Sequence, residues 1–306
     1  MTFIALVAAL LIEQARALSA GNPAHIAFLR LSDALERSLN SGRYEHGVLA
    51  WLIAVVPIVA AVVALSAYLD GIGPLLVLLF DVAVLYLTMG FRQFSHAYGD
   101  ALAALRAGDV ARARLSMERW LLRPASDLGS NELARLAIER GLLNAHRHVF
   151  GVIAWFAVFG AAGAVFYRLA AMLHDRWSQR PARTETDFGT FSRAVFRWCD
   201  WIPVRLTAVS FAVVGDFEDA LYCWRSQAAN WPDPSEGVVL TSGAGAIGVR
   251  LGSTLGVVEP LEVRSEIGTG EDADAELMTS AVGLIWRALV LWLFVISLVT
   301  AASWFG

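Results

Sequence analysis

Long apolar runs separated by short polar stretches set the first expectations for this chain. Residues 47–69 are 23 positions without a charge, more than the roughly 20 needed to cross a hydrocarbon core of about 30 Å. Asp70-Gly71-Ile72-Gly73 then predicts a tight turn. Residues 74–91 form a second apolar run, interrupted by Asp81. The two runs predict a transmembrane helical hairpin. A third run, residues 149–172, carries one charge, Arg168, and a fourth covers residues 288–305. Residues 1–12 are apolar but short, with neither a basic leader nor a small-residue cleavage site. They predict a membrane anchor, or a span extended to Leu18, rather than a cleaved signal peptide.

The third run admits two readings. A straight helix of 24 residues reaches about 36 Å, enough to cross. Gly160-Ala161-Ala162-Gly163 at its centre suits a break, and a broken hairpin would return to the side it came from. Irregular backbone at that depth needs protein or a water-filled cavity around it. Residues 201–214 are apolar apart from Arg205 and too short for an ordinary span. They predict a buried core helix or an interfacial segment, a setting that Trp198, Trp201 and Trp224 also suit.

The remaining segments read as helices and linkers. Residues 92–148 read as helix throughout, with Gly108 ending one helix and Asp109 capping the next. Gly215-Asp216 repeats that punctuation ahead of residues 217–225. Residues 181–190 and 231–236 read as loops, and residues 262–276 as a mobile acidic loop. The predicted fold class is all-α: a polytopic helical integral membrane protein with helical hairpins and a segment that either crosses or re-enters. Its predicted divisions are N-terminal membrane segments over 1–91 and a cytoplasmic helical region over 92–148. A core over 149–256, an acidic loop over 257–280 and a C-terminal membrane helix over 281–306 follow.

Composition agrees. Of 306 residues 57% are hydrophobic and 17% charged, against about 25% charged in soluble domains. Mean hydropathy is +0.55. So few polar residues cannot cover a soluble domain of this length. A net charge of −4 and a pI near 5.9 argue against nucleic-acid binding. All 24 basic residues are arginine, which excludes a lysine nucleophile, a Schiff base and a lysine-type phosphate loop. Residues 13–46 hold four arginines, residues 92–148 hold nine and the turn at 70–73 none. This predicts that the first two regions are cytoplasmic and the hairpin tip lies outside. The two cysteines, Cys199 and Cys223, make no disulfide framework and read as small packing residues.

Several groups are candidates for chemistry. Gly243-Ala244-Gly245-Ala246-Ile247-Gly248 matches G-x-G-x-x-G after Val238-Val239-Leu240, which could be a strand. A dinucleotide site would need a βαβ unit that the rest of the pattern does not supply. Two readings remain: a loop whose backbone approaches a polar ligand with Arg250 supplying charge, and a glycine-rich packing element. His146 and His148 are two apart and point to different helix faces, which suits a solvated pair better than a metal site. Asp81 reads either as a cavity group with a partner such as Arg168 or Arg92, or as a residue near the outer interface. Glu139, Asn144, Arg147 and Arg168 surround the start of the third run, and Arg205 and Arg250 join them if that run re-enters. Such arginines suit phosphate or carboxylate groups.

Four stretches, in order over residues 91–256, resemble the CobD/CbiB cobalamin-biosynthesis family. They are Ala104-Leu105-Arg106-Ala107-Gly108-Asp109 with Ala111-Arg112; the run from Phe156 to Phe166-Tyr167-Arg168; Ile202-Pro203-Val204-Arg205-Leu206-Thr207; and Ala246-Ile247-Gly248-Val249-Arg250-Leu251-Gly252. The resemblance implies a multi-pass protein of the bacterial inner membrane, with the lipid bilayer and a corrinoid or anionic small molecule as partners. It implies ligand binding by Arg168, Arg205, Arg250, Gly248 and Gly252. The family's ligases join cobyric acid to an aminopropanol or its phosphate, a step needing ATP and magnesium. Their ESLAEN segment keeps only Glu139 and Asn144 here, the candidate catalytic residues, with Leu143 at the second acid. Their SDG reads His146-Arg147-His148. Ala171 replaces the asparagine of NTLDS, and GRDT becomes residues 123–127. With those acids missing, the chain resembles the AmpE-like branch, and implies a regulatory or ligand-binding protein. The alternatives are an adenosylcobinamide-phosphate synthase, and a transporter or lipid-interacting protein suggested by Asp81 and the broken third run.

Overall fold

The computed structural model describes residues 2–15, 22–121, 125, 127–178, 187–252 and 265–305, apart from the side chains of residues 91–94 and 303–305. The described residues are overwhelmingly helical, as the apolar pattern predicts. By its contacts the chain divides into two units. The first comprises Met1–Gly90, Arg147–Trp201 and Val299–Gly306, and the second Phe91–His146 and Ile202–Leu298. Three helical stretches are long and apolar enough to cross a membrane: Tyr44–Asp70, Ser130–Ser178 and Ala275–Ala302. The protein is an all-α membrane protein.

In the first unit α1 (Thr2–Ala15) and α2 (Pro23–Leu39) precede the predicted hairpin, which forms α3 (Tyr44–Asp70) and α4 (Pro74–Thr88). The turn closes as the Gly73 N–H donates to the Leu69 carbonyl at 3.0 Å, and Pro74 starts α4 where a missing N–H costs nothing. The predicted run to residue 91 is cut short, because Met89 leaves the helix in an extended conformation. Fifteen residues reach only about 22 Å. Asp81 is buried on α4, which packs against α1 and against the helix that begins at Gly151. The extension of α1 towards Leu18 and most of the 181–190 linker lie outside the described residues. Of that linker, Asp187–Gly189 form a 3₁₀ turn leading into a helix at Thr190.

The third run folds back. Helix α5 (Phe91–Arg106), α6 (Val110–Leu121) and α7 (Ser130–Ala145) lie in the second unit. A π-helical turn at His146–Phe150 then leads into α8 (Gly151–Ser178). As one rod, Ser130–Ser178 would measure about 73 Å. Gly160, at φ 61° and ψ −151°, breaks it. Residues 151 and 167 would stand about 24 Å apart along a straight helix. Instead a Cβ on Gly151 would collide with the Tyr167 ring, and one on Gly163 with the Trp155 carbonyl. Trp155 and Phe166 ring centroids are 5.2 Å apart. Two arms therefore run antiparallel, and the chain turns back on itself at Gly160. Small residues permit the approach, and the tip leaves Val158 and Phe159 exposed.

The second unit confirms both predicted corners. Gly108 takes φ +73°, and the Asp109 carboxylate accepts the Arg112 N–H at 2.9 Å. Asp216 accepts the Asp219 N–H at 3.0 Å, capping α10 (Phe217–Gln227), which follows α9 (Thr190–Val214). The 231–236 loop is shorter than predicted. A 3₁₀ turn at Ala228–Asn230 precedes it, and Asp233 caps α11 (Pro234–Ile247), accepting the N–H groups of Ser235 and Glu236. Val238–Leu240, which could have been a strand, is helix. Every residue from Gly237 to Ala246 is buried, and a wholly apolar run cannot by periodicity separate a buried strand from a buried helix. Gly243 and Gly245 of the motif are packing positions. A Cβ on Gly243 would strike Leu142, one on Gly245 would strike the Asp219 backbone, and Gly248 ends the helix at φ 66°. No βαβ unit surrounds it among the described residues. Of the acidic loop, residues 262–264 lie outside the description. Beyond them β2 (Ile267–Gly268) and β3 (Glu271–Asp272) flank β1 (Val249–Leu251) in the order β2-β1-β3, antiparallel and parallel to it respectively. Helix α12 (Ala275–Phe305) then starts 13 residues before the predicted fourth run.

Candidate functional site

In the second unit, the small sheet and α7 bring three of the predicted residues together. Glu139 is 3% exposed, and its carboxylate accepts the Gly252 N–H at 2.8 Å. One turn earlier on α7, Arg135 donates to the Gly252 carbonyl at 3.1 Å. A base at i and an acid at i+4 thus grip both sides of one glycine, whose φ of +79° suits no other residue well. Arg135 also meets Asp272 at 3.5 Å. Arg250, paired in register with Asp272 across the strands, reaches its carboxylate at 3.1 Å and that of Glu266 at 3.6 Å. Gly248 lies at the junction of α11 with β1. Arg250 is therefore engaged by acids of the segment that was expected to be a mobile loop. Arg135 and Asp272 carried no sequence signal of their own, because their partnership depends on a three-residue strand.

Asn144 is half-buried near the end of α7, and Arg205 is half-buried on α9. His146 departs from the solvated pair expected. It is 2% exposed, and its Nδ1 shares a hydrogen bond of 2.9 Å with the Thr207 hydroxyl, which donates in turn to the Pro203 carbonyl. The two rings do face different neighbours, but α9 covers the face that carries His146 and takes it out of water. Both cysteines are buried, as packing residues should be, and burial pushes the Cys223 thiol pKa up.

Arg168 belongs to the other unit, on the returning arm of the α8 hairpin. There Arg147 meets Asp175 at 3.3 Å and lies over the Phe196 ring, 5.8 Å from its centroid. His174 stacks on the same ring at 4.8 Å. Tyr167 donates to the buried Asp200 carboxylate at 2.8 Å. His148 lies within electrostatic reach of Arg168, Arg147 and His25. The pKa of His25 itself, on α2, is lowered first by burial and then by Arg168. The arrangement is a cluster of cationic side chains stiffened by aromatic stacking, with Asp175 and Asp200 as its acids. Among the described residues no three His, Cys, Asp or Glu side chains gather so as to hold a metal ion.

The comparisons with known proteins cover the whole of this architecture. A family described as CobD/Cbib protein matches residues 3–304. A cobalamin biosynthesis protein CobD of Stutzerimonas stutzeri is 36% identical over 300 residues, 96% of each chain. One of Chromobacterium violaceum is 34% identical over 239 residues, 78% of this chain and 76% of its own. One of Mycobacterium tuberculosis is 29% identical over 185 residues, 59% of each. No solved structure matches. With a match across nearly the entire length, this chain belongs to the CobD/CbiB family.

Proposed function

We propose that this protein is a ligand-binding member of the CobD/CbiB family, of the AmpE-like kind, that holds an anionic small molecule or corrinoid at the bacterial inner membrane without forming the amide bond. The observation that carries the reading is the condition of Glu139. It is the one acid retained from the ligase motif, and its buried carboxylate is engaged by the Gly252 N–H. A carboxylate committed to backbone in this way is a poor acceptor for a hydrated magnesium ion, which favours carboxylates free to share its waters. The positions that carry SDG in the ligases are His146-Arg147-His148, cationic or neutral where acids would be needed. The residues present therefore do not fit magnesium and ATP. Arginines remain, and their fixed charge and planar fork suit carboxylate or phosphate recognition.

Complementation tests this. The chain is expressed in a cobalamin-requiring strain that lacks cobinamide-phosphate synthase and is fed cobyric acid, with immunoblotting of the membrane fraction. Presence in the membrane without growth is the expected result, and growth overturns the reading. Whole-length identity to proteins named for cobalamin biosynthesis favours a second reading, the synthase itself. It requires growth that is lost in Glu139→Ala or Arg205→Ala.

A further inference from the structure

Helix α9 is built inside out. From Trp201 to Val214 every exposed residue is apolar: Trp201, Ile202, Leu206, Val209 and Val213. Their steps of four, three and four from Ile202 onward place the aliphatic four on one helical face. The polar residues of the same stretch turn inward and are satisfied there. Thr207 is fully buried and bonded to His146. Ser210 donates to the Leu206 carbonyl at 2.7 Å, and the Ala208 carbonyl accepts the Ser242 hydroxyl at 2.7 Å. Water-facing helices show the opposite pattern.

The neighbours of this face identify what covers it. Ser210 also accepts the indole N–H of Trp292 at 2.6 Å. Trp292 lies on α12, a candidate membrane span whose own outward residues include Val290, Phe294 and Val295. Residues 202–213 of α9 therefore run beside a span at a depth where the span itself is apolar outside. The order along α9 fits a passage from headgroup to hydrocarbon. Arg193 and Arg197 are exposed first, then Trp198 at 80% and Trp201, then only aliphatic side chains. Arginine and tryptophan are the residues that favour the membrane boundary. Exposed acids, Asp216, Glu218 and Asp219, resume directly after the helix.

We infer that the Ile202–Leu206–Val209–Val213 face of α9 is a lipid-contacting wall, covered by the acyl chains of the bilayer. Fourteen residues reach about 21 Å, short of the roughly 30 Å core. The helix is thus a side wall of the membrane-embedded body rather than a further span. This explains why its hydropathy gives no span signal: the inward face carries Thr207 and Ser210, Arg205 is half-buried at its flank, and any running average mixes the two faces.

Site-directed spin labelling of the full chain in vesicles of phosphatidylethanolamine and phosphatidylglycerol tests it. Single cysteines replace Ile202, Leu206, Val209 and Val213 in a Cys199→Ala, Cys223→Ala background, with Phe294→Cys on α12 setting the lipid value. Labels on α9 are expected to collide with oxygen far more often than with a water-soluble nickel chelate, as at Phe294. Ready collision with nickel would mean that the face is wet. Protection from both reagents would mean that protein, such as a second copy, covers it. Either result overturns the inference. In the chain with its own cysteines, brominated acyl chains are expected to quench a smaller share of fluorescence in Trp201→Phe than in the unaltered protein. An unchanged share counts against the wall.

Discussion

Helices α3 and α8 both grow from long apolar runs in the sequence, yet they spend their apolar residues differently. Helix α3 leaves most of its apolar side chains exposed, among them Leu52, Ile53, Val56 and Val63, whereas α8 buries most of its own. Exposed aliphatic residues on a helix 27 residues long require a non-aqueous surrounding. In α8 the partners are the other arm of the same hairpin and the neighbouring helices α3 and α4. Hydrophobicity thus reports that water is absent, without saying whether lipid or protein replaces it. The discriminating feature is residue size at the contact. The hairpin places Gly151 and Gly163 where two backbones or rings nearly touch, while α3 faces outward with large side chains.

Substitutions sharpen that difference. The largest effect is expected from Gly163→Leu, whose side chain must occupy the space of the Trp155 backbone and the Phe159 side chain. Overpacking of this kind costs about 3 kcal/mol or more. Thermal unfolding in detergent should show a marked fall or a loss of folded protein, and a variant as stable as the parent would break the hairpin description. Gly160→Ala separates strain from crowding, because nothing lies within contact of a Cβ there. Its backbone falls in a region that glycine alone occupies readily, so a cost of about 1–3 kcal/mol is expected from conformation alone. A neutral result would mean that the reversal is not at Gly160.

A pH titration gives a smaller effect in the same unit. The folded pKa of His25 lies below its ordinary 6.5, so the unfolded chain binds the proton more readily. Stability contributed by neutral His25 is full above pH 6.5 and falls as pH drops through and below that value. His25→Gln should flatten this part of the stability profile, and an identical profile would remove the assigned burial effect. The smallest effect is expected at α3, where Leu52→Ala in detergent should change stability by no more than about 0.5 kcal/mol. A loss several times larger would show that α3 is covered by protein.

What could be read in advance depended on how local the cause was. The α3–α4 turn was legible because Asp70-Gly71-Ile72-Gly73 interrupts uncharged sequence, and the Gly108-Asp109 and Gly215-Asp216 corners because cap chemistry acts over three residues. The end of α4 at Thr88 and the helicity of Val238–Leu240 were not, since packing outweighed local preference in both. Glu139 and Gly252 stood out by resemblance alone, as they are 113 positions apart in sequence. Arg135 and Asp272 had no such guide. His146 looked solvent-exposed because the residue that covers it, Thr207, is 61 positions away in sequence. Helix α9 hid its character because its polar residues face inward, so composition and orientation pointed in opposite directions.

The reversal at Gly160 also settles a matter of counting. A segment that crosses changes the side of everything after it, whereas one that doubles back changes nothing. With Gly151 and Tyr167 side by side, the hairpin contributes an even number of passages. Residues entering it before Gly151 and leaving it after Tyr167 emerge on one side. One glycine, in a conformation closed to other residues, thereby fixes the parity of this segment.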